Sequence, residues 1–372
     1  METAIKDTSE TKEYFINMGP QHPSTHGVLR LLLTLEGEII KNVEPHIGYV
    51  HRSIEKMCEK SSFQQIIHLT DRLDYLSCHM NNEAVCLAVE EGLELEIPER
   101  VKVIRTIIDE LNRISSHTLW WGVMGMDMGA ITSFLYGFRE HEMVTEIFEE
   151  TCGARLTMSY NVPGGLMFDI PANFQKMVKE FLAHFKKKLP EYDTLLSNNI
   201  IFTERTKGIG FLSKEDAISF GVTGPSARAS GFACDVRKLK PYSAYNKVNF
   251  KEILYTEGDS YARYKARIDE MWESVSIIEQ LIDNIPEGDY FVKTKAVIKL
   301  PAGEYYQSVE SARGEFGVYI VSDNKKNPYR VKFRSPGFAN LSALNKIAQG
   351  CKIADLVAIM STLDLVIPDI DR

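Results

Sequence analysis

The segment Asn17-Met18-Gly19-Pro20-Gln21-His22-Pro23-Ser24-Thr25-His26-Gly27 packs two histidines, two prolines and two glycines into one stretch. An imidazole titrates near neutral pH. A histidine pair stiffened by prolines suits a positioned proton donor or a ligand as well as an ordinary surface loop, and composition does not choose between them. A metal would need further ligands, and no cysteine or histidine cluster supplies them. Arg72 and Tyr75 stand three apart on a predicted helix, so they share a face, and His68 and His79 fall on that face by the same spacing. That face is either a polar rim toward solvent or a polar wall inside the protein. Asp127 is the only formal charge between Leu119 and Phe138. A carboxylate in so apolar a setting needs a cationic or hydrogen-bonding partner, for which a histidine is a natural choice.

These residues must be held by the elements around them. Val28 to Leu35 is rich in β-formers and Glu36-Gly37 offers a turn before Glu38 to Val43, which predicts a hairpin. From Ser62 to Phe148 the pattern is helical, with Ile104, Ile107, Ile108, Leu111 and Ile114 at helical spacing after Pro98. Phe174, Met177, Val178, Phe181, Leu182 and Phe185 form a second stripe ending in Lys186-Lys187-Lys188, and Ser260 to Asn284 a third helix. Gln307 to Ser311, Gly317 to Ser322 and Arg330 to Phe333 read as strands, with a turn at Asp323-Asn324. A last helix is expected over Leu341 to Met360, followed by an extended tail, while Met1 to Glu13 reads as a loose polar arm. The glycines at 122, 125, 129 and 137 argue against a free-standing membrane helix over 119–138. They suit a buried segment that other backbone approaches closely.

Bulk composition excludes more than it assigns. A chain of 372 residues suggests two or three cores at about 150 residues each. The balance of 43 basic against 51 acidic residues, net −8, gives no electrostatic reason to bind nucleic acid. Gly-x-Gly-x-x-Gly after a strand is absent, as is a P-loop, so no flavin or nicotinamide site is expected in this chain. The six cysteines, at 58, 78, 86, 152, 234 and 351, form no Cys-x-x-Cys and match no zinc or iron–sulfur spacing. With no signal peptide expected, the compartment reads as reducing.

Several motifs recur in order along the chain: the N-terminal loop, His51-Arg52-Ser53-Ile54-Glu55-Lys56, Asp71-Arg72-Leu73-Asp74-Tyr75, Gly153-Ala154-Arg155 and Pro163-Gly164-Gly165. Asp235-Val236-Arg237-Lys238, Pro241-Tyr242, Gly258-Asp259-Ser260-Tyr261, Gly303-Glu304-Tyr305-Tyr306, Pro328-Tyr329-Arg330 and the ending from Asp364-Leu365-Val366 to Asp371-Arg372 follow. The series resembles the quinone-site subunit of NADH–quinone oxidoreductase (respiratory complex I), the 49-kDa or D type, from about residue 14 to the C-terminus.

The resemblance implies an α+β, mainly α fold like the [NiFe]-hydrogenase large subunit, a central helical bundle with small flanking sheets. Its expected parts are an N-terminal α+β segment over 1–60 with the hairpin and the loop, a helical core over 61–300, and a small α/β region over 301–372 with a cavity-lining tail. In such hydrogenases two cysteine pairs hold the metal centre. Here His51-Arg52-Ser53 and Leu363-Asp364-Leu365 occupy those neighbourhoods without thiolates, so hydrogenase activity is rejected.

By similarity His26 and Tyr75 hydrogen-bond a quinone headgroup and Asp127 partners His26. Arg52 and Arg72 lie beside the terminal iron–sulfur cluster of a neighbouring subunit, Val366 belongs to the cavity wall, and His22 joins the site through its loop. The expected function is quinone reduction in a proton-translocating complex, with quinone as substrate and no metal or flavin held by this chain. Expected partners are the other peripheral-arm subunits, including the terminal-cluster and C-type subunits, and the membrane arm. The expected location is the cytoplasmic face of the membrane, as a peripheral protein. The same subunit in a ferredoxin- or deazaflavin-dependent relative, or an inactive structural relative, is the alternative. One departure stands out. The family writes Gly-Ala-Arg-Met-His-Ala-Ala-Tyr-x-Arg-Pro-Gly-Gly, whereas this chain has Thr157 in place of the histidine and Val162 in place of the second arginine.

Overall fold

The structure, a computed structural model, describes residues 5–8, 11–22 and 27–372. Four antiparallel strands open the chain in sequence order: β1 (Ile5–Thr8), β2 (Thr11–Met18), β3 (Arg30–Glu36) and β4 (Ile39–His46). The predicted hairpin is β3–β4. Leu31, Leu33 and Leu35 alternate along β3 and are buried with Ile40 and Val43 of β4, which fixes the register, because a one-residue slip would turn every leucine to solvent. The expected loose arm is instead strand where it is described. Ile16 and Met18 of β2 pack onto the core under the sheet, and backbone pairing with β3 supplies the rest, so polar composition hid a strand.

Helices α1 (Ile54–Cys58), α2 (Phe63–Thr70), α3 (Cys78–Gly92), α4 (Glu99–Asp127) and α5 (Ile131–Cys152) follow. Arg72 and Tyr75 are not on a helix. α2 ends at Thr70, the amides of Arg72 and Leu73 bond three residues back, and the Asp74 carboxylate accepts the Leu76 amide at 3.1 Å. An aspartate offering its own acceptor to nearby backbone favours a turn over a continuing helix.

α4 and α5 form an antiparallel pair, and glycine decides how closely they approach. α4 stops in a Schellman turn: Ala130 N–H bonds Gly125 O at 2.7 Å, Gly129 N–H bonds Met126 O at 2.9 Å, and Gly129 takes φ +90°. A Cβ on Gly137 would lie 2.6 Å from the Thr118 carbonyl oxygen, and one on Gly122 3.1 Å from Phe134 Cα. The close approach expected from these glycines is therefore present. The segment is less buried than expected, however, since Met126, Ile131 and Leu135 are exposed.

A two-stranded ribbon, β5 (Asn161–Val162) and β6 (Gly165–Leu166), precedes α6 (Phe174–Tyr192). α6 does not end at the lysines. It runs on through Pro190 because Leu189 and Tyr192 continue its buried face, and the Tyr192 ring stacks on Trp121 at 3.8 Å. Short helices α7 (Ile200–Glu204), α8 (Lys214–Ser219), α9 (Gly224–Arg228) and α10 (Val236–Leu239) lead to the long α11 (Ser260–Ile282). The second sheet is β7 (Gly303–Ser311), β8 (Gly314–Ser322) and β9 (Arg330–Arg334), all antiparallel. The final helical stretch is divided into α12 (Pro336–Ser342), α13 (Leu344–Ala348) and α14 (Ile353–Leu363), and the expected extended tail is α15 (Ile367–Asp371). The division has a cause: Ile40 N–H bonds Cys351 O, Gly350 N–H bonds Ile40 O and Ile353 N–H bonds Glu38 O, so residues 350–353 pair with β4 rather than coil.

Two hydrophobic cores result. The larger joins α3, α4, α5, α6 and α11 with the inner face of the β7–β9 sheet. The smaller packs the β3–β4 leucines against Leu344, Ile347, Leu356, Ile359 and Leu363 of α13 and α14. Each fully buried leucine contributes about 1.5–3 kcal/mol. The contact between α4 and α5 yields a direct expectation. Gly137→Ala should lower stability by roughly 1–3 kcal/mol because its methyl meets backbone, which cannot swing aside, and the midpoint of thermal unfolding measures it.

Candidate functional site

Arg52, Arg72 and Tyr75 line one cavity of about 370 Å³ with Val50, Leu156, Thr157 and Pro368. Four distant parts of the chain meet there: the loop after β4, the turn between α2 and α3, the loop before β5, and α15. A larger groove, about 620 Å³, lies between α6 and α11, lined largely by Lys179, Lys186, Lys187, Glu279 and Asp283. Its charges are paired across the groove, Lys179 with Asp283 and Lys186 with Glu279. The smaller cavity is the better candidate because a phenol and two cations converge on it beside apolar side chains.

The turn carrying Tyr75 is fixed from beneath by Arg313, in the two-residue connection between β7 and β8. Its Nη1 donates to Asp74 Oδ2 at 2.9 Å and to Ser116 Oγ of α4 at 3.1 Å, while Nη2 donates to Asp364 Oδ1 at 3.0 Å and Nε to the Asp364 carbonyl at 3.1 Å. Arg313 is fully buried. Tyr75 is 37% exposed, and burial of its ring pushes the phenol above its ordinary pKa, so it stays protonated at neutral pH and can donate. Arg52 Nη2 donates to the Arg72 carbonyl at 3.2 Å and Arg72 Nη1 to the His68 carbonyl at 2.6 Å, which aligns both cations along one wall.

The C-terminal residues hold the loop after β4. The Asp371 carboxylate accepts the amides of Gly48 at 2.7 Å and Val50 at 2.9 Å, the Asp371 carbonyl meets His51 Nδ1, and Arg372 Nε donates to Glu55 Oε1 at 3.3 Å. The tail thereby fastens the loop that presents Arg52. Val366, expected on the cavity wall, is buried at the start of α15; Pro368, two residues on, is the lining residue.

Asp127 ends α4, where the helix dipole is unfavourable for a carboxylate. It is half-buried rather than buried, and Ser361 of α14 donates its hydroxyl to Asp127 Oδ2 while Trp120 Nε1 bonds the Ser361 carbonyl at 2.6 Å. His26 lies outside the described residues. His22 and Gly27, on either side of residues 23–26, form an antiparallel bridge, and Gly27 packs on Ile367, next to Val366. His22 is exposed. The segment from Ser361 to Pro368 thus runs from the Asp127 contact, past the Asp364–Arg313 ion pair under Tyr75, to the cavity.

His79 does not share a polar rim with His68, Arg72 and Tyr75. It is fully buried in α3, its ring 4.8 Å from the Phe148 ring, and burial pushes the imidazole down to about 3, so it stays neutral. Thr157 is on the cavity wall at φ 54° with Ser159 at φ 41°, an arrangement costing roughly 1–3 kcal/mol per residue for side chains other than glycine. Val162 is in β5, and its carbonyl accepts Arg105 Nη2 at 3.0 Å, with Glu90 completing that buried pair. The cysteines are all free thiols, and burial pushes Cys58 and Cys152 up to about 12.

Reading the residues one by one missed a buried ion-pair lattice. Glu110 of α4 pairs with Arg113 and Arg237; Glu270 of α11 pairs with Arg228 and Arg237 and is hydrogen-bonded to His117 Nε2 at 2.7 Å; Glu310 of β7 pairs with Arg228; Asp235 pairs with Arg237. Asp235 and Arg237 belong to a quoted motif, but Glu110, Arg113 and His117 recur on a face of α4 away from its isoleucine stripe, which in sequence reads as an ordinary polar face.

A mainly helical α+β chain gathers a phenol and two arginines on one cavity, where the loop after β4 meets the C-terminal helix α15. Among the described residues no group of three or more His, Cys, Asp or Glu side chains could hold a metal, and no helix is long and apolar enough to cross a membrane. The family model described as "Respiratory-chain NADH dehydrogenase, 49 Kd subunit" matches residues 127–299 and 290–372. The chain is similar to the NADH-quinone oxidoreductase C/D subunit of Phocaeicola vulgatus, 56% identical over 360 residues, 97% of this chain and 69% of that protein. The C/D subunit of Bacteroides fragilis is 54% identical over 363 residues, 98% and 68% of the two chains. The NADH-quinone oxidoreductase D subunit of Bacillus cytotoxicus is 46% identical over 362 residues, covering 97% of this chain and 99% of that protein. The chain belongs to the 49-kDa (D) subunit family of respiratory-chain NADH dehydrogenase.

Two expectations follow from this geometry. Arg313→Met should destabilise by roughly 3–5 kcal/mol, because Asp74 and Asp364 are left buried without their cation; denaturant unfolding of the variant measures it. Asp369, fully buried on α15 with Ser335 donating to it, has its carboxyl pushed up to about 6 by burial and by the Asp74 charge. A folded-state pKa above the unfolded one means that the fold favours the proton. The stabilisation is therefore full below about pH 4 and lost as pH rises through about 6. Asp369→Asn should flatten that limb of the stability–pH curve, and a curve unchanged by the substitution would show that Asp369 is not its source.

Proposed function

We propose that this chain binds and reduces quinone within a proton-translocating complex, taking electrons from an iron–sulfur cluster in a neighbouring subunit. The observation that carries the reading is the cavity in which Tyr75, Arg52 and Arg72 converge. Reduction of a quinone to a quinol takes two electrons and two protons. The Tyr75 hydroxyl is one source of a proton, and His26, with Asp127 favouring its imidazolium, is the other. A quinone ring needs donors to its two carbonyl oxygens and apolar walls to its faces. Leu156, Val50 and Pro368 provide such walls beside the phenol. Arg52 and Arg72 would stabilise negative charge arriving on the ring or on the neighbouring cluster.

The names of the relatives support an enzyme subunit rather than a purely structural one, and the C/D relatives support a C-type subunit as partner. The terminal-cluster subunit, the membrane arm and a place on the cytoplasmic face of the membrane complete the proposal. It does not depend on whether the electrons originate in NADH, ferredoxin or a deazaflavin, since no part of the cavity would meet that donor.

Tyr75→Phe removes one hydroxyl from a turn that Arg313 holds through Asp74, so the complex should assemble. Quinone reductase kcat/KM should fall roughly 5- to 150-fold, the equivalent of ~1–3 kcal/mol for a buried partner left without its donor. Unchanged kinetics with short-chain and long-chain quinones would refute the assignment. Asp127→Asn keeps shape and the Ser361 contact but removes the charge. Turnover should fall severely in an assembled complex, and near-normal turnover would leave Asp127 a helix-end residue with no part in proton delivery.

A further inference from the structure

Thr157 at φ 54° and Ser159 at φ 41° occupy backbone that neither residue type prefers, and Thr157 is β-branched. Something beyond the loop must hold it there. The Ser159 hydroxyl donates to Asp71 Oδ2 and lies 2.9 Å from His68 Nδ1, so one side chain is gripped by the last turn of α2 and the residue after it. With its only proton committed to the carboxylate, Ser159 Oγ accepts from His68, which places a hydrogen on Nδ1. That donor is present in the neutral Nδ1–H tautomer and in the imidazolium alike, so the grip does not require a charged His68. Asp71 is fully buried, and Arg72 Nη1 stands 3.7 Å from the same Oδ2. On either side of Ser159, Met158 meets the Cys78 thiol at 3.2 Å, and Asn161 donates to the His79 carbonyl at 3.0 Å. The residues immediately before this anchor, Leu156 and Thr157, are cavity wall.

We propose that Ser159 is a positioning residue: held between His68 and Asp71, it sets the Leu156–Thr157 wall at the distance from Tyr75 that a quinone ring requires. This rests on the reading of the cavity as the quinone site. The serine touches neither ring nor cluster and acts through the wall it holds. The expected signature is therefore in substrate binding rather than in the chemical step.

The test uses the assembled, membrane-embedded complex. Ser159→Ala should raise KM for a short-chain quinone roughly five- to tenfold, as loss of one well-placed hydrogen bond would, with kcat changed less than about twofold. Amide hydrogen exchange over residues 156–160 should speed up in the same preparation. His68→Ala should move both readouts in the same direction by less, and His68→Gln, whose amide can donate to the same oxygen, should recover most of the loss. His68 is at the surface of the chain, so this pair carries the test if Ser159→Ala does not assemble. A fall in kcat at constant KM would assign Ser159 to the chemistry and overturn the proposal, as would unchanged exchange or a KM that does not move. Tyr75→Phe, run alongside, separates the two readings. Unchanged Ser159→Ala kinetics beside an impaired Tyr75→Phe sinks the clamp alone, whereas unchanged Tyr75→Phe kinetics sinks the quinone site and the clamp's role with it.

Discussion

Arg313 is the interaction on which the rest of the site depends. A guanidinium taken fully out of water carries a desolvation cost of several kcal/mol, offset only where carboxylates and hydrogen-bond acceptors meet it in good geometry. Here Asp74 and Asp364 supply the charge, and Ser116 and the Asp364 carbonyl supply further acceptors. Those partners come from the turn carrying Tyr75, from α4 and from the end of α14. None can shift without stranding a buried charge. Asn340 of α12 also bonds the Arg313 carbonyl at 3.3 Å, which ties the same point to the C-terminal helices. A turn, which would otherwise be among the more mobile parts of a fold, is thereby given the fixity of the core.

The same principle extends inward. Glu110, Glu270 and Glu310 each face arginines from other elements, so α4, α9, α10, α11 and β7 are joined by charge as well as by apolar contact. Such pairs add little net stability over well-packed hydrophobic residues, yet each is expensive to break, and that asymmetry favours one arrangement over its near alternatives. The α4–α5 contact adds a steric counterpart, since Gly122 and Gly137 let backbone approach backbone and so fix where Asp127 emerges. The site thus stands on two rigid features, a buried charge lattice and a close helix pair.

Family membership gives these devices a context. In the resemblance drawn from the motifs, the neighbourhood of Asp364 is where a metal-binding relative would place thiolates. In this chain Asp364 is engaged by Arg313, with Arg267 Nε 3.9 Å from its other oxygen. A neighbourhood that could hold a metal centre elsewhere is here held together by an ion pair, and the space nearby is bounded by Tyr75 and two arginines instead. Thr157, where the resemblance leads one to expect histidine, sits on that boundary, so that difference in sequence is a difference in the cavity wall itself.

Much of this was legible in the sequence, and the limits follow physical lines. Alternating leucines gave β3, helical spacing gave α4, α6 and α11, and the glycines between 122 and 137 announced a close backbone approach, because each depends on side-chain periodicity or on the absence of a Cβ. The motifs brought Arg52, Arg72 and Tyr75 forward as one site. What local pattern could not supply was every feature decided by a distant partner. β2 is a strand because β3 pairs with it. The last long helix is broken because residues 350–353 bond to β4. Arg72 and Tyr75 lie on a turn because Asp74 caps backbone and Arg313, far along the chain, claims its carboxylate. His79, placed by spacing on a polar face, is neutral and buried because α3 turns that face toward Phe148. Sequence by itself determined the residue types, the periodicities and the order of the motifs. Only the tertiary structure decided which charges meet, since an ion pair such as Asp74–Arg313, buried across 239 residues of chain, leaves no local trace of its partner.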